Sequence, residues 1–336
     1  MRRFSMASVR GLGWLAVALA AVSVSHGQTQ LKMKFVEGET LRYIQDMENK
    51  MDMGALGKMD QSMGMEMTMH VDSVDEEGVA QVTQSITRIK MAMVLPPPVD
   101  QDVSFDTDEP GELEVENPVL KQMASALTPM IGGKMKMKMS PYGELSDFEL
   151  DEQLTKHFDS LPKQPGGGLN AAKMKEMMAQ MTQPLPKKEI EKGETWQREL
   201  KTEMPPLGAM QADYEYTYEG TEEDLERIGV TGDLRITPDE KSPFKIEMKD
   251  QTLDGYLLFD NVAGRMSKAV IKQKFKMEIN VGQAITIDAD SVVTIRLADE
   301  KDEEASDDSE NEKPQPAKKE SPGKAKKTPA EPKSSP

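Results

Sequence analysis

No cysteine occurs in the 336 residues, which removes disulfides, thiolate metal sites and thiol nucleophiles together. Aromatic residues make up 5% of the chain, with two tryptophans, so stability has to come from aliphatic and thioether burial. Histidine is scarcer still. Of three, His26 falls in an N-terminal leader, and His70 and His157 are too far apart in sequence to mark an acid–base pair. There is no Gly-x-Ser-x-Gly elbow, phosphate loop, His-Glu-x-x-His or dinucleotide fingerprint. The carboxylates, such as Asp46, Glu48 and Asp52 or Asp288 and Asp290, lack calcium-loop spacing. These absences point to a protein that is not an enzyme and holds no cofactor.

A membrane-spanning run is also missing. Residues 12–24 are apolar, but this is shorter than the roughly 18–20 residues a transmembrane helix needs. Arg2, Arg3 and Arg10 precede the run and Ser25-His26-Gly27 follows it, the pattern of a secretory signal peptide over residues 1–27. Export to a periplasmic or extracellular compartment, as a soluble form, is the expectation. Loss of three arginines would take the formal charge from −17 to −20, which disfavours nucleic acid as a partner.

Methionine, by contrast, is abundant, with 27 residues, and it alternates. Met63, Met65, Met67 and Met69 recur at every second position, as do Met135, Met137 and Met139. That spacing puts them on one face of a β-strand, with Lys134, Lys136 and Lys138 on the other. Further alternating strands lie over residues 38–47, 63–74, 79–94, 228–236, 244–248, 275–281 and 293–297, the signature of an antiparallel sheet with one wet face. Asp75-Glu76-Glu77-Gly78 reads as a turn between the second and third. The apolar phase of the third changes between Ile86 and Ile89, as one inserted β-bulge residue would produce.

Three amphipathic helices are predicted in the middle. The first starts at Asn117 and Pro118 and carries Leu120, Met123, Ala124, Leu127 and Ile131, with Gly132-Gly133 as its stop. The second uses Leu150, Leu154, Phe158 and Leu161. The third, after Gly166-Gly167-Gly168, uses Met174, Met177, Met178 and Met181. Residues 299–336, acidic and then rich in Lys, Pro, Ala and Ser, cannot bury enough apolar surface to order and are expected to form a disordered tail. Val36-Glu37-Gly38-Glu39-Thr40-Leu41 is echoed by Glu191-Lys192-Gly193-Glu194-Thr195-Trp196, which suggests duplicated β-rich halves over 28–184 and 185–298. The expected class is mainly β (α+β): a curved antiparallel sheet or half-barrel with about three helices packed on it.

The leader, the Gly-Glu-Thr strand, the hairpin over 71–93, the Pro-Tyr-Gly turn, Leu185-Pro186 before Gly193-Glu194-Thr195-Trp196, the Tyr214, Tyr216, Tyr218 strand and the segment 255–266 occur in an order that resembles an uncharacterised exported bacterial domain of unknown function. The resemblance covers about residues 30–297 and implies no catalytic residues. In sheet-plus-helix pattern it is distantly similar to lipoprotein-carrier half-barrels.

Three roles remain open on these residues. Methionine is unbranched and adaptable, so Met63, Met65, Met67, Met69, Met135, Met137, Met139, Met174, Met177, Met178 and Met181, with Trp196, are candidates to line a cleft for a lipid or other apolar ligand, or for a cell-envelope partner. Thioether sulfur also suits Cu(I), most readily if the methionines come from adjacent strands. A structural envelope protein with a filled methionine core is the third.

Overall fold

The computed structural model describes residues 28–96, 101–108, 118–160, 171–172, 174–175, 185–204, 208–238, 245–280, 284–299 and 302. The predicted leader, and the tail beyond its first few residues, lie outside them. The chain divides into a unit over Met1–Leu297 and a second over Ala298–Pro336; all that follows concerns the first.

Twelve strands form one predominantly antiparallel, curved and unclosed sheet. They are β1 (Thr40–Asp52), β2 (Lys58–Val74), β3 (Ala80–Leu95), β4 (Gln101–Asp106), β5 (Lys134–Met139), β6 (Leu145–Leu150), β7 (Thr195–Met204), β8 (Gly208–Glu222), β9 (Leu225–Pro238), β10 (Lys245–Asp260), β11 (Arg265–Asn280) and β12 (Ala284–Leu297). Their spatial order is β6-β5-β3-β2-β1-β12-β11-β10-β9-β8-β7, with β4 beside β3. One sheet therefore runs through both of the halves expected from sequence.

The expected bulge in β3 exists. Glu66 pairs with Arg88 but Met67 pairs with Ile86, so Thr87 is the extra residue. Without it, Ile89, Met91 and Met93 would point to the polar face. The bulge also forks the sheet: Ala80 to Ser85 pair with β5, whereas Lys90 to Leu95 pair with β4.

Two helices, α1 (Pro118–Leu127) and α2 (Glu152–Ser160), are present among the described residues, not the three expected. In α1, Met123, Ala124 and Leu127 pack as their spacing requires, joined by Ile131. The second helix starts two residues later than its stripe suggested, because Asp151 caps it: its Oδ1 accepts the Leu154 amide at 2.8 Å. Leu150 therefore ends β6, opposite Met135, instead of opening the helix. Of the third helix, Ala171, Ala172, Met174 and Lys175 are helical, and Met177, Met178 and Met181 lie outside the described residues.

The apolar face is covered at both ends of the sheet. Under α1, Ile86, Ile89, Met91, Met93 and Phe105 are buried. Under α2, Val71, Val82, Met135 and Met137 join Leu154, Phe158 and Met174. At the other end, Tyr216, Tyr218, Ile228, Val230 and Phe259 bury Leu31, Leu185 and Ile190.

The sequence echo is a repeated structure. Gly38 and Gly193 both have positive φ, +82° and +91°. Gly38 N donates to Val71 O (2.9 Å) and Val71 N to Glu39 O (2.9 Å); Gly193 N donates to Tyr218 O (2.7 Å) and Tyr218 N to Glu194 O (2.9 Å). The same turn thus opens β1 against β2 and β7 against β8.

Candidate functional site

Residues 28–36 form no strand of the sheet, yet they are firmly held. Thr29 exchanges both backbone hydrogen bonds with Ile190, at 2.9 Å each. Met33 N donates to Pro141 O (2.7 Å) in the β5–β6 turn, and Lys34 N donates to Gly264 O (2.9 Å) in the β10–β11 turn. This strap ties together turns from either side of the β1–β12 pair in the sheet. Apolar residues alternate along it. Leu31, fully buried, enters the cluster below β8–β10, where Met33 also packs, and Phe35 enters the α2 cluster.

Beneath the strap, where these two clusters face each other, lies a cavity of about 290 Å³. One wall comes from the α2 side: Phe35, Met69, Met139 and Leu145. The opposite wall comes from Met33, Met266, Ala269 and Ile295, and Leu41 and Tyr43 form the floor between them. Four of these side chains are methionine. The volume is just below the usual range for ligand pockets, suited to one chain rather than a branched molecule. Larger hollows of about 410 and 540 Å³ run along β1–β4, with Glu48, Lys50, Asp60, Asp102 and Asp106 among their walls, and another of about 440 Å³ lies by β5 and β6 between Lys136, Lys138, Asp147 and Glu149.

The cavity has one polar end. Arg265 Nη1 pairs with Glu39 Oε1 at 2.8 Å, and its Nε is buried and donates to no described acceptor. Tyr43 Oη donates to Met266 O at 3.3 Å. Burial pushes the Tyr43 hydroxyl up to about 12, despite the opposing pull of Arg265, so it remains a neutral donor. At the rim, Lys34 Nζ donates to Asn261 O (2.9 Å) and Val262 O (3.0 Å).

The methionines singled out from sequence are divided by the structure. Met63, Met65 and Met67 pack under α1. Met69, Met135, Met137, Met139 and Met174 pack together under α2, and of these Met69 and Met139 reach the cavity. β3 separates the two stripes, with Gln84 standing between Met69 and Met135. Cross-strand methionines do occur elsewhere: Met63 lies opposite Met47 on β1 and opposite Met91 on β3. Trp196 is not with them. It stacks on Tyr216, ring centroids 5.5 Å apart, at the β7–β8 edge.

Sequence reasoning missed Arg265, Tyr43, Lys34 and the strap. A cation directly after a glycine turn is a weak signal, and a strap with no regular element carries no periodicity. His70 is exposed and bonds Thr40 Oγ1 at 2.8 Å, and His157 lies against Phe158. Neither belongs to a catalytic cluster among the described residues. No group of three or more His, Cys, Asp or Glu there is placed to hold a metal ion, and no described helix is long and apolar enough to cross a membrane.

The sequence matches a family described as a family of unknown function (DUF6263) over residues 77–258, as the order of its short motifs implied. No curated protein matches it. Among solved structures, that of lipid–protein interactions in lipovitellin is similar at 13% identity and a TM-score of 0.44, covering 79% of this chain. This chain spans 26% of the lipovitellin chain. An outer membrane channel from Pseudomonas putida F1 is similar at 8% identity and a TM-score of 0.18, with 79% and 97% of the two chains covered.

Proposed function

The chain belongs to the DUF6263 family, whose function is unknown, and we propose that it binds an apolar molecule non-covalently in the cavity beneath the strap. The observation that carries this is the hollow at the seam between two otherwise close-packed clusters, lined by Met33, Met69, Met139 and Met266. Methionine walls accept varied apolar shapes without a fixed rotamer. On this reading the protein is an exported, non-enzymatic holder or carrier, and β1–β6 and β7–β12 are duplicated halves whose junction forms the site. The repeated Gly-Glu-Thr turn supports that origin.

The test uses the neutral probe N-phenyl-1-naphthylamine. The chain should enhance its fluorescence, and Ala269→Phe, which fills the cavity from a position only 4% exposed, should abolish the enhancement while the protein stays folded by circular dichroism. Equal enhancement by a folded Ala269→Phe variant, or none by the parent, removes the proposal.

A second reading keeps Cu(I). Met47, Met63 and Met91 stand opposite one another on three adjacent strands, the arrangement in which thioethers from neighbouring strands can share one soft ion. Changing all three to Leu should weaken competition against a Cu(I) chelator; unchanged competition leaves these residues as core alone.

A further inference from the structure

The walls of the cavity are apolar, but its charges do not balance. Arg265 and Lys34 both line it. Glu39 answers Arg265 alone, through one guanidinium nitrogen at 2.8 Å. Lys34 is held by two backbone carbonyls and, among the described residues, by no carboxylate. The other charged side chains near the strap are matched elsewhere: Lys187 pairs with Glu144 at 2.8 Å, and Lys32 lies over the Tyr142 ring, its Nζ 5.6 Å from the centroid. The polar end therefore carries two cations against one anion. A wholly apolar occupant would bring no charge to answer the two cations that line the cavity. An occupant with an anionic oxygen would answer them through charge-assisted hydrogen bonds.

We propose that the occupant is an amphiphile with a single apolar chain and an anionic headgroup, carboxylate or phosphate, with the chain between the methionine walls and the headgroup at Arg265 and Lys34. This rests on the cavity reading above and adds to it the chemistry of the ligand. The guanidinium fixes the headgroup inside, and the Lys34 ammonium at the rim supplies the second positive charge. One chain is specified because about 290 Å³ falls just below the usual range for whole-ligand pockets.

The experiment measures displacement of N-phenyl-1-naphthylamine from the chain lacking residues 1–27 by three compounds of one chain length: dodecanoate, dodecyl phosphate and 1-dodecanol. The expected result is that at least one anion displaces the probe at a concentration about tenfold below that of the alcohol, the scale of one good charge-assisted contact. Whichever anion is stronger assigns the headgroup as carboxylate or phosphate. Arg265→Gln and Lys34→Met should each narrow the gap between the anions and the alcohol. Lys34 is an exposed rim side chain, so its variant keeps the test valid should Arg265→Gln fail to fold. If 1-dodecanol competes as well as both anions, the headgroup assignment is overturned and the cavity reading stands. If the probe itself does not bind, both fall together.

Discussion

Gly264 and Gly193 share a left-handed backbone, φ +69° and +91°, but only one of them is crowded. A Cβ at 193 would meet nothing within 4 Å, whereas a Cβ at 264 would lie 2.4 Å from Lys34 N and 2.5 Å from Lys34 Cβ. Gly193→Ala should therefore cost about 1 kcal/mol, the strain of a non-glycine residue in that region. Gly264→Ala should cost clearly more, and it should also weaken probe binding, because the strap must lift away to make room. Equal melting temperatures for the two variants would contradict the close approach. A second residue-scale prediction concerns Arg88, which grips Asp106 through Nε and Nη2 at 2.9 and 2.6 Å and reaches Glu66 and Asp108 at 3.6 and 3.3 Å. Burial acts to raise Asp106, but the Arg88 fork and the Asp108 amide outweigh it and hold this carboxyl below its ordinary value. A depressed carboxylate contributes stability that is fully present above its unfolded-state value of about 3.9 and lost as pH falls through the folded-state value. Asp108 works in the opposite sense, raised by burial and by Asp106 and Glu66, but it is half exposed and so counts for less. Arg88→Met should cost roughly 1–3 kcal/mol at pH 7 by taking the guanidinium from Asp106 and Asp108, while Glu66 keeps Arg42 at 2.6 Å, and that deficit should shrink in denaturant titrations at pH 3. A deficit independent of pH would rule this account out.

At the scale of elements, α2 depends on Asp151, which carries two duties. Its Oδ1 caps the helix at the Leu154 amide (2.8 Å), and its Oδ2 accepts the Lys134 amide (2.7 Å) where β5 begins. Asp151→Ala should therefore cost about 1–2 kcal/mol, the upper part of the range for a lost cap, and Asp151→Asn should recover part of it. Urea midpoints of the three proteins check this; an alanine variant as stable as the parent would mean that α2 is held by Leu154 and Phe158 alone. The same element shows where sequence pattern fails. Spacing of four from Leu150 to Leu154 to Phe158 reads as one stripe, but Asp151 competes for a cap position, and the pairing of Leu150 with Met135 extends the sheet by one more residue. Strands were far more legible. In β2 and β5 the alternation of methionine with lysine, glutamate and threonine marked which face packs inward, and the phase change in β3 placed a bulge between Ile86 and Ile89, where the structure has Thr87 as the extra residue, because a period of two leaves no other way to keep Ile86 and Ile89 on one side. Which strand sits beside which is carried by no local pattern, so the separation of the two methionine stripes by β3 was not readable. The cavity was half readable. Met69 and Met139 belonged to a visible stripe, whereas Arg265, Tyr43 and Lys34 meet through contacts more than 200 residues apart in sequence for Lys34 and the 261–262 turn.

At the scale of the molecule, the strap decides whether the sheet behaves as one body. An unclosed sheet of twelve strands could yield at its middle, where β1 and β12 join the two meanders and the covering helices do not reach. Two things oppose that. The β1–β12 ladder runs ten residues, from Tyr43 opposite Leu297 to Asp52 opposite Asp288, and the strap anchors Leu31 in one buried cluster and Phe35 in the other while bonding to turns on both sides of that ladder. Unfolding should therefore be a single transition. Trp196, with Trp14 in the predicted leader the only other tryptophan, reports on the β7–β8 end, whereas far-ultraviolet circular dichroism averages over all strands, so coincident curves are the expected outcome. Leu31→Ala weakens the strap at its most buried side chain, 0% exposed, and should cost about 2–5 kcal/mol. It should also pull the two curves apart, because the end nearest Trp196 loses its cover while α1 and α2 still protect the other. Removal of Ala298–Pro336, which is divided off from the unit that holds the sheet, should leave both curves where they were. Coincident curves in Leu31→Ala would show that the β1–β12 ladder alone couples the ends, and the strap would then be a cover for the cavity rather than a brace for the sheet.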